Sequence, residues 1–180
     1  MNQQDFSFIH KYFMAEKQES LLFILLGISA LVLSVIFFFF IRTNPSFFKG
    51  AAIPLFVLGL LMAIVGYTVY ARSDQQRMDT AYKMGLDPVG FVKNEEGPRM
   101  KTVMTNFVII RYAEIVLLLA GLGLFIYFRT ALPFLSTKAL FWKGFGLTLA
   151  IMALLALSAD SFAEKRGRVY EKQIRTLIKS

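Results

Sequence analysis

The sequence has no cysteine and a single histidine, His10. Disulfides and thiol chemistry are therefore excluded, and no histidine pair exists for a zinc site. Neither GxGxxG nor GxxxxGK[ST] occurs, so no phosphate-cradling loop is announced. No cofactor or metal is expected, and no catalytic constellation is visible. A lipid enzyme working with carboxylates alone is the one enzymatic reading these residues leave open. Charge is also scarce, at 18% of residues, against about 25% in an ordinary soluble chain.

Apolar residues fill the space left by those absences. Of the 180 residues, 56% are hydrophobic and 15% aromatic, with 19 Phe. Mean hydropathy is +0.56. Four stretches, residues 21–41, 50–69, 107–128 and 139–159, each hold 20 to 22 largely apolar residues. At ~1.5 Å per residue, about 20 residues cross the ~30 Å hydrocarbon core. Backbone polar groups must be satisfied internally there, so the spans are helices. The fold class predicted is an all-α membrane protein with four transmembrane helices. The first span is preceded by mixed charge and followed by FFFFIRTNP, with no small-residue cleavage site. It reads as a retained anchor, not a signal peptide.

The 20 Lys and Arg residues are unevenly spread. Two precede residue 21, six lie between residues 70 and 106, and six follow residue 159; the two short hairpin loops share five. The positive-inside bias places both termini and the central segment in the cytoplasm. Phe37 to Phe40, Phe47, Phe48, Tyr127, Phe128, Phe141 and Trp142 flank the outer loops as an interfacial aromatic belt. The net charge of +8 then enforces topology and meets anionic headgroups. No nucleic-acid partner is expected.

Two stretches repeat in order. IRTNPSFFKG (41–50) leads into the second span and FRTALPFLSTKALFWKG (128–144) into the fourth. Setting Lys49 on Lys143 places Arg72 on Arg166 without a gap. The chain therefore reads as two tandem hairpins forming a parallel internal repeat, related by an axis along the membrane normal. A compact four-helix bundle with pseudo-twofold symmetry fits that pattern.

The polar segments divide the chain further. Residues 1–20 read as an N-terminal amphipathic interfacial segment, with Phe6, Ile9 and Phe13 on one face. Residues 21–84 form the first hairpin with a cytoplasmic helix extension. Residues 85–97 are a turn and linker, containing GLDPVG. Residues 98–159 are the second hairpin, opened by Pro98 as a first-turn proline. Residues 160–180 are a basic amphipathic tail. Membrane contact or self-packing is the expected use of both terminal helices. Helices 2 and 3 are expected to project from the bilayer as a stalk.

Arg111 and Glu114 are the sharpest feature, because charge inside a span is costly and usually faces a bundle interior. Their spacing of three sets them on adjacent turns of one face, where they can pair. The plainer reading is a buried structural pair, or an arginine that snorkels to the headgroups. Asp74 and Asp160 follow the ends of helices 2 and 4. With Arg72 and Arg166 they complete a candidate polar cluster able to hold a proton, a cation or an anionic headgroup. Solvated helix ends are the simpler account of those four. Ala30 and Ser34, Gly59, Ala63 and Gly66, and Ala159 and Ala163 make small-residue stripes suited to close helix packing. Pro54 lies one turn into the second span and is a candidate kink.

The stretches AEKQESLLF, NPSFFKGAAIP, YARSDQQR, KNEEGPRM and ADSFAEKRG give the chain a texture that resembles small four-span membrane proteins of Bacteroidota. That group carries no assigned activity. The resemblance implies a bacterial inner-membrane address and nothing about mechanism.

These observations point to a small polytopic inner-membrane protein without catalytic chemistry. It is expected to be a self-associating module or an accessory subunit, with the bilayer and other membrane subunits or copies of itself as partners. The alternative is an ion or small-solute transporter or channel using the Arg111–Glu114 cluster. A second alternative is a membrane immunity or lipid-handling protein, for which the residues offer no positive mark.

Overall fold

The computed structural model describes residues 6–130 and 136–179. Three parts of the sequence reading, residues 1–5 of the N-terminal segment, residues 131–135 of the second hairpin loop and Ser180 of the tail, lie outside the described residues. The described chain is almost wholly helical. Helix α1 spans Ser7–Val35 and runs on through a π-helical turn, Ile36–Phe40. Helix α2 spans Pro45–Leu86, and the single turn α3 spans Pro88–Phe91. A second π turn, Val92–Glu96, leads into α4, Gly97–Thr130, and α5 spans Thr137–Lys179. Four of these helical stretches are long and apolar enough to cross a membrane.

Local sequence explains the boundaries. Asn44 sits in the left-handed region at φ 50, and Pro45 opens α2 from it. The GLDPVG cluster ends α2 and starts α3. There the Asp87 carboxylate accepts from the Gly90 amide at 2.9 Å, and Pro88 occupies the first helical turn. Pro98 is the second residue of α4, directly after the π turn, so the helix expected to open at Pro98 in fact continues from Pro88. A helix of 42 residues, as in α2, is about 63 Å long, twice the ~30 Å hydrocarbon core. Each long helix therefore carries a membrane part and a polar-end part.

The two parts are held together in opposite ways. In the membrane part many large side chains point outward, Leu22, Leu25, Phe56, Leu61, Ile109 and Leu119 among them, while Leu55 and Met62 of α2 and Met152 of α5 are buried with Ala30 of α1. The closest contacts between helices fall on small residues. A Cβ on Gly27 of α1 would lie 2.6 Å from the Ala63 nitrogen and the Gly59 oxygen of α2. A Cβ on Gly121 of α4 would lie 2.6 Å from the Ala150 nitrogen of α5. The Ser34 hydroxyl donates to the Ala52 carbonyl across α1 and α2 at 2.8 Å. Lipid is as apolar as leucine, so close backbone approach and hydrogen bonds drive association there.

At the polar end the order reverses, and large side chains go inside. Ile9, Tyr12 and Phe13 of α1 pack with Met84 of α2, Phe91, Val92, Met100 of α4, and Tyr170 and Ile174 of α5. This is a hydrophobic core of the kind water drives. Gly167 of α5 leaves the space that the Met104 side chain fills. The apolar faces of both terminal segments, read from sequence as interfacial, close on each other within this core. The projecting part is thus a head to which α1 and α5 contribute, not a stalk of two helices alone.

The helices pack in the order α1, α2, α5, α4. Helix α1 lies along α2, α4 lies along α5, and α2 meets α5. Among the described residues, no extended α1–α4 face closes the ring, so the compact bundle expected from the sequence is an open row. Glycines decide this: Gly50 of α2 rests on the Phe141 carbonyl of α5, and Gly144 of α5 rests on the Phe47 carbonyl of α2. That mutual fit makes α2 and α5 the inner pair.

Candidate functional site

Phe107, Arg111 and Glu114 fall at i, i+4 and i+7 on α4, so one face carries them all. Leu157, Asp160, Ser161 and Glu164 line the opposing face of α5 by the same arithmetic. The two faces meet where the membrane part joins the head. Glu164 is 3% exposed. It accepts from the Arg168 guanidinium at 2.6 and 2.9 Å and is also paired with Arg111. The pairing of Arg111 with Glu114 expected from their spacing is thus replaced by a bridge across helices. Glu114 faces Asp160 across one closed space, and the two carboxyls act on each other electrostatically.

The remaining residues of the expected cluster sit in other groups. Arg166 pairs with Glu19 of α1, and its guanidinium lies 5.6 Å over the Tyr12 ring. Arg72 is exposed on α2 and acts on Glu16 of α1 through its charge. Burial pushes the Glu16 carboxyl above its ordinary range, against the pull of Arg166 and Arg72. Asp74 pairs with Lys17 and with Arg77 at 3.6 Å. The Lys17 hydrogen bond holds its carboxyl below the ordinary range. Of the six residues grouped in the sequence reading, the structure brings Arg111, Glu114 and Asp160 together and distributes Arg166, Arg72 and Asp74 around α1.

A further polar group lies inside the head. Glu96 is 2% exposed. It takes two hydrogen bonds from Arg99, at 2.7 and 2.6 Å, and one from the Tyr170 hydroxyl at 2.7 Å. The Tyr12 ring stacks on Tyr170 at 4.1 Å between centroids. Burial, with Glu16 next, pushes the Tyr12 phenol up to about 12. Burial and Glu96 push Tyr170 upward as well.

Sequence reasoning missed Glu96, placed in the 85–97 linker, and Glu164, placed in the basic tail. Spacing did offer a signal: Glu96 stands three residues before Arg99, and Glu164 four before Arg168. Of the packing residues, Ala30, Ser34, Gly59, Ala63 and Gly66 lie where α1 and α2 meet. Ala159 and Ala163 are half-buried on α5. The sequence reading overlooked Gly27, Gly50, Gly121, Gly144 and Gly146, which make the closest approaches. Among the described residues, no group of three His, Cys, Asp or Glu side chains is placed to hold a metal ion.

No protein-family model, curated protein or solved structure matches the chain.

Proposed function

We propose that this chain is a non-catalytic, multi-pass module of a bacterial inner membrane that associates with copies of itself or serves a larger assembly as an accessory subunit. The observation that carries this reading is the open row of helices. The inner helices have 33% and 39% of their most apolar windows buried, the outer ones only 17% and 11%. Both outer helices, and both broad faces of the row, remain available to further helices. The head beside them is a packed, ion-paired unit able to present a fixed surface to a partner.

Packing at the polar cluster favours this reading over solute transport. Among the described residues, the space between Arg111, Glu114, Asp160 and Glu164 does not admit a water-sized sphere. Nothing in the site favours immunity or lipid handling.

Two structural readings accompany the proposal. The head, both termini and the central segment lie in the cytoplasm, as the Lys and Arg distribution requires. The chain is a duplicated hairpin. The alignment that sets Lys49 on Lys143 also sets Gly50 on Gly144 and Phe47 on Phe141. These are the residues that exchange contacts reciprocally at the inner helix pair, as a pseudo-twofold axis between hairpins would demand.

The test is the mass of the tagged protein extracted from its native membrane in lipid nanodiscs. The expected result is a complex of at least two 20.4 kDa chains, or one chain with a stoichiometric membrane partner. A bare monomer at every extraction condition overturns the proposal.

A further inference from the structure

Glu114 lies within the apolar span of α4 and is 6% exposed, yet its Oε2 meets no hydrogen-bond donor. A buried carboxylate oxygen without a donor is costly in water and more so beside lipid. The neighbouring bases are committed elsewhere. Arg111 crosses to Glu164, which Arg168 holds from the next turn of α5. What faces Glu114 across the same closed space is a second acid, Asp160, whose charge acts on it. From α1, Glu19 adds another negative charge acting on Asp160, itself paired with Arg166. Among the described residues, α2 contributes no charged group acting on the pair.

Two ionised carboxylates cannot hydrogen-bond to each other, since each has only acceptors. One proton resolves this: the acid that carries it donates, and the other accepts. A larger ligand does not fit. The space lined by Phe107, Leu157, Ser161 and the charged residues does not admit a water-sized sphere, so a water or hydrated cation has no room. No three-ligand metal group is formed there among the described residues.

We propose that Glu114 and Asp160 form a proton-binding site, one proton bridging α4 and α5 where the membrane part meets the head. The proton supplies the donor that Arg111 does not. It leaves one negative charge on the pair, beside the Arg111–Glu164–Arg168 bridge. The site is a property of each chain and does not depend on the module reading above.

Infrared spectroscopy of the full-length protein in lipid vesicles tests this directly. At neutral pH the wild-type protein is expected to show the C=O stretch of a protonated carboxylic acid, shifted in D₂O and lost at alkaline pH. Glu114→Gln and Asp160→Asn each replace the bridging proton by an amide donor, so each variant is expected to lose the band. Sodium or potassium at high concentration is expected to leave the wild-type band in place. A wild-type spectrum without the band at neutral pH overturns the proposal, whether or not the variants fold. So does a band that neither substitution weakens, and displacement by sodium or potassium would make the ligand a metal cation.

Discussion

Single acids in this protein differ in what surrounds them, and their substitutions should differ accordingly. Glu16 is half-buried in the head with a buried oxygen that meets no donor, and desolvation raises its folded-state pKa above the ordinary 4.5. The unfolded chain therefore ionises first as pH rises, so folding loses stability between the ordinary and the raised value. Glu16→Gln removes that loss. The variant is expected to melt above wild type at about pH 8, with the advantage vanishing as pH falls to about 4. A variant less stable than wild type at the higher pH would show that Arg166 and Arg72 outweigh burial. Glu96 presents the opposite case, because its donors are all in place. Tyr170→Phe is expected to cost about 1–3 kcal/mol by leaving a buried acceptor short of a donor. Arg99→Ala should cost more, about 3–5 kcal/mol, because it strands a buried charge. Denaturant titration in one detergent ranks the two, and equal losses would argue against a buried charge at Glu96. Neither acid was legible in the sequence. Spacing marks Glu96 and Arg99 as able to pair, but which charges turn inward depends on helices far away in the chain, such as Tyr170 on α5.

At the level of helices, the spans and the break at Asp87 could be read from the sequence. Those signals are local: hydropathy over about 20 residues and a Gly-Pro cluster. Pro98 does not open a helix as its sequence context suggests, because the helix already runs from Pro88 and passes it just after a π turn. The glycines that set helix pairing were only partly legible. Gly59 and Gly66 stood out by spacing, whereas Gly50 and Gly144 sit singly near helix starts. Their role appears only when two helices 94 positions apart in sequence come together. Leucine at Gly50 or Gly144 must displace the opposing Phe141 or Phe47 carbonyl. Each is expected to destabilise by about 1–3 kcal/mol or more, as overpacking does. Gly85→Ala is the matched control. Nothing lies within 4 Å of a Cβ there, and the position is helical, so a gain of up to about 0.5–1 kcal/mol is expected. Thermal melting of the three variants in one detergent checks the set. Destabilisation confined to Gly85→Ala would refute the assignment of the contact surface.

For the whole molecule, the membrane part and the head follow different solvents. Composition announced the first through long apolar runs. It hid the second, because the helical faces of a head core and of an interfacial helix look alike in sequence: Ile9 and Phe13 at a spacing of four suit either. Only the meeting of α1 with Tyr170 and Ile174 of α5 decides between them. Orientation can be checked without engineering a background, since the chain has no cysteine. Single cysteines at Lys93 and Lys49 are expected to react with a membrane-impermeant maleimide from opposite sides. Lys93 should react only after the cytoplasmic face is opened, and the reverse pattern would invert the topology.

Because α5 is one unbroken helix from Thr137 to Lys179, it acts as a rigid lever. Its resting point at Gly144 is near one end, and its clamp at Tyr170 lies 26 residues away, about 39 Å at 1.5 Å each. A tilt of about 5° at Gly144 would sweep Tyr170 sideways by roughly 3–4 Å over that arm. That is enough to part its hydroxyl from Glu96, since a hydrogen bond weakens steeply beyond its normal length. The α1–α2 and α4–α5 pairs therefore cannot rock against each other without the head reporting it. A spectroscopic label beside Tyr170 would register motions that begin on the far side of the membrane.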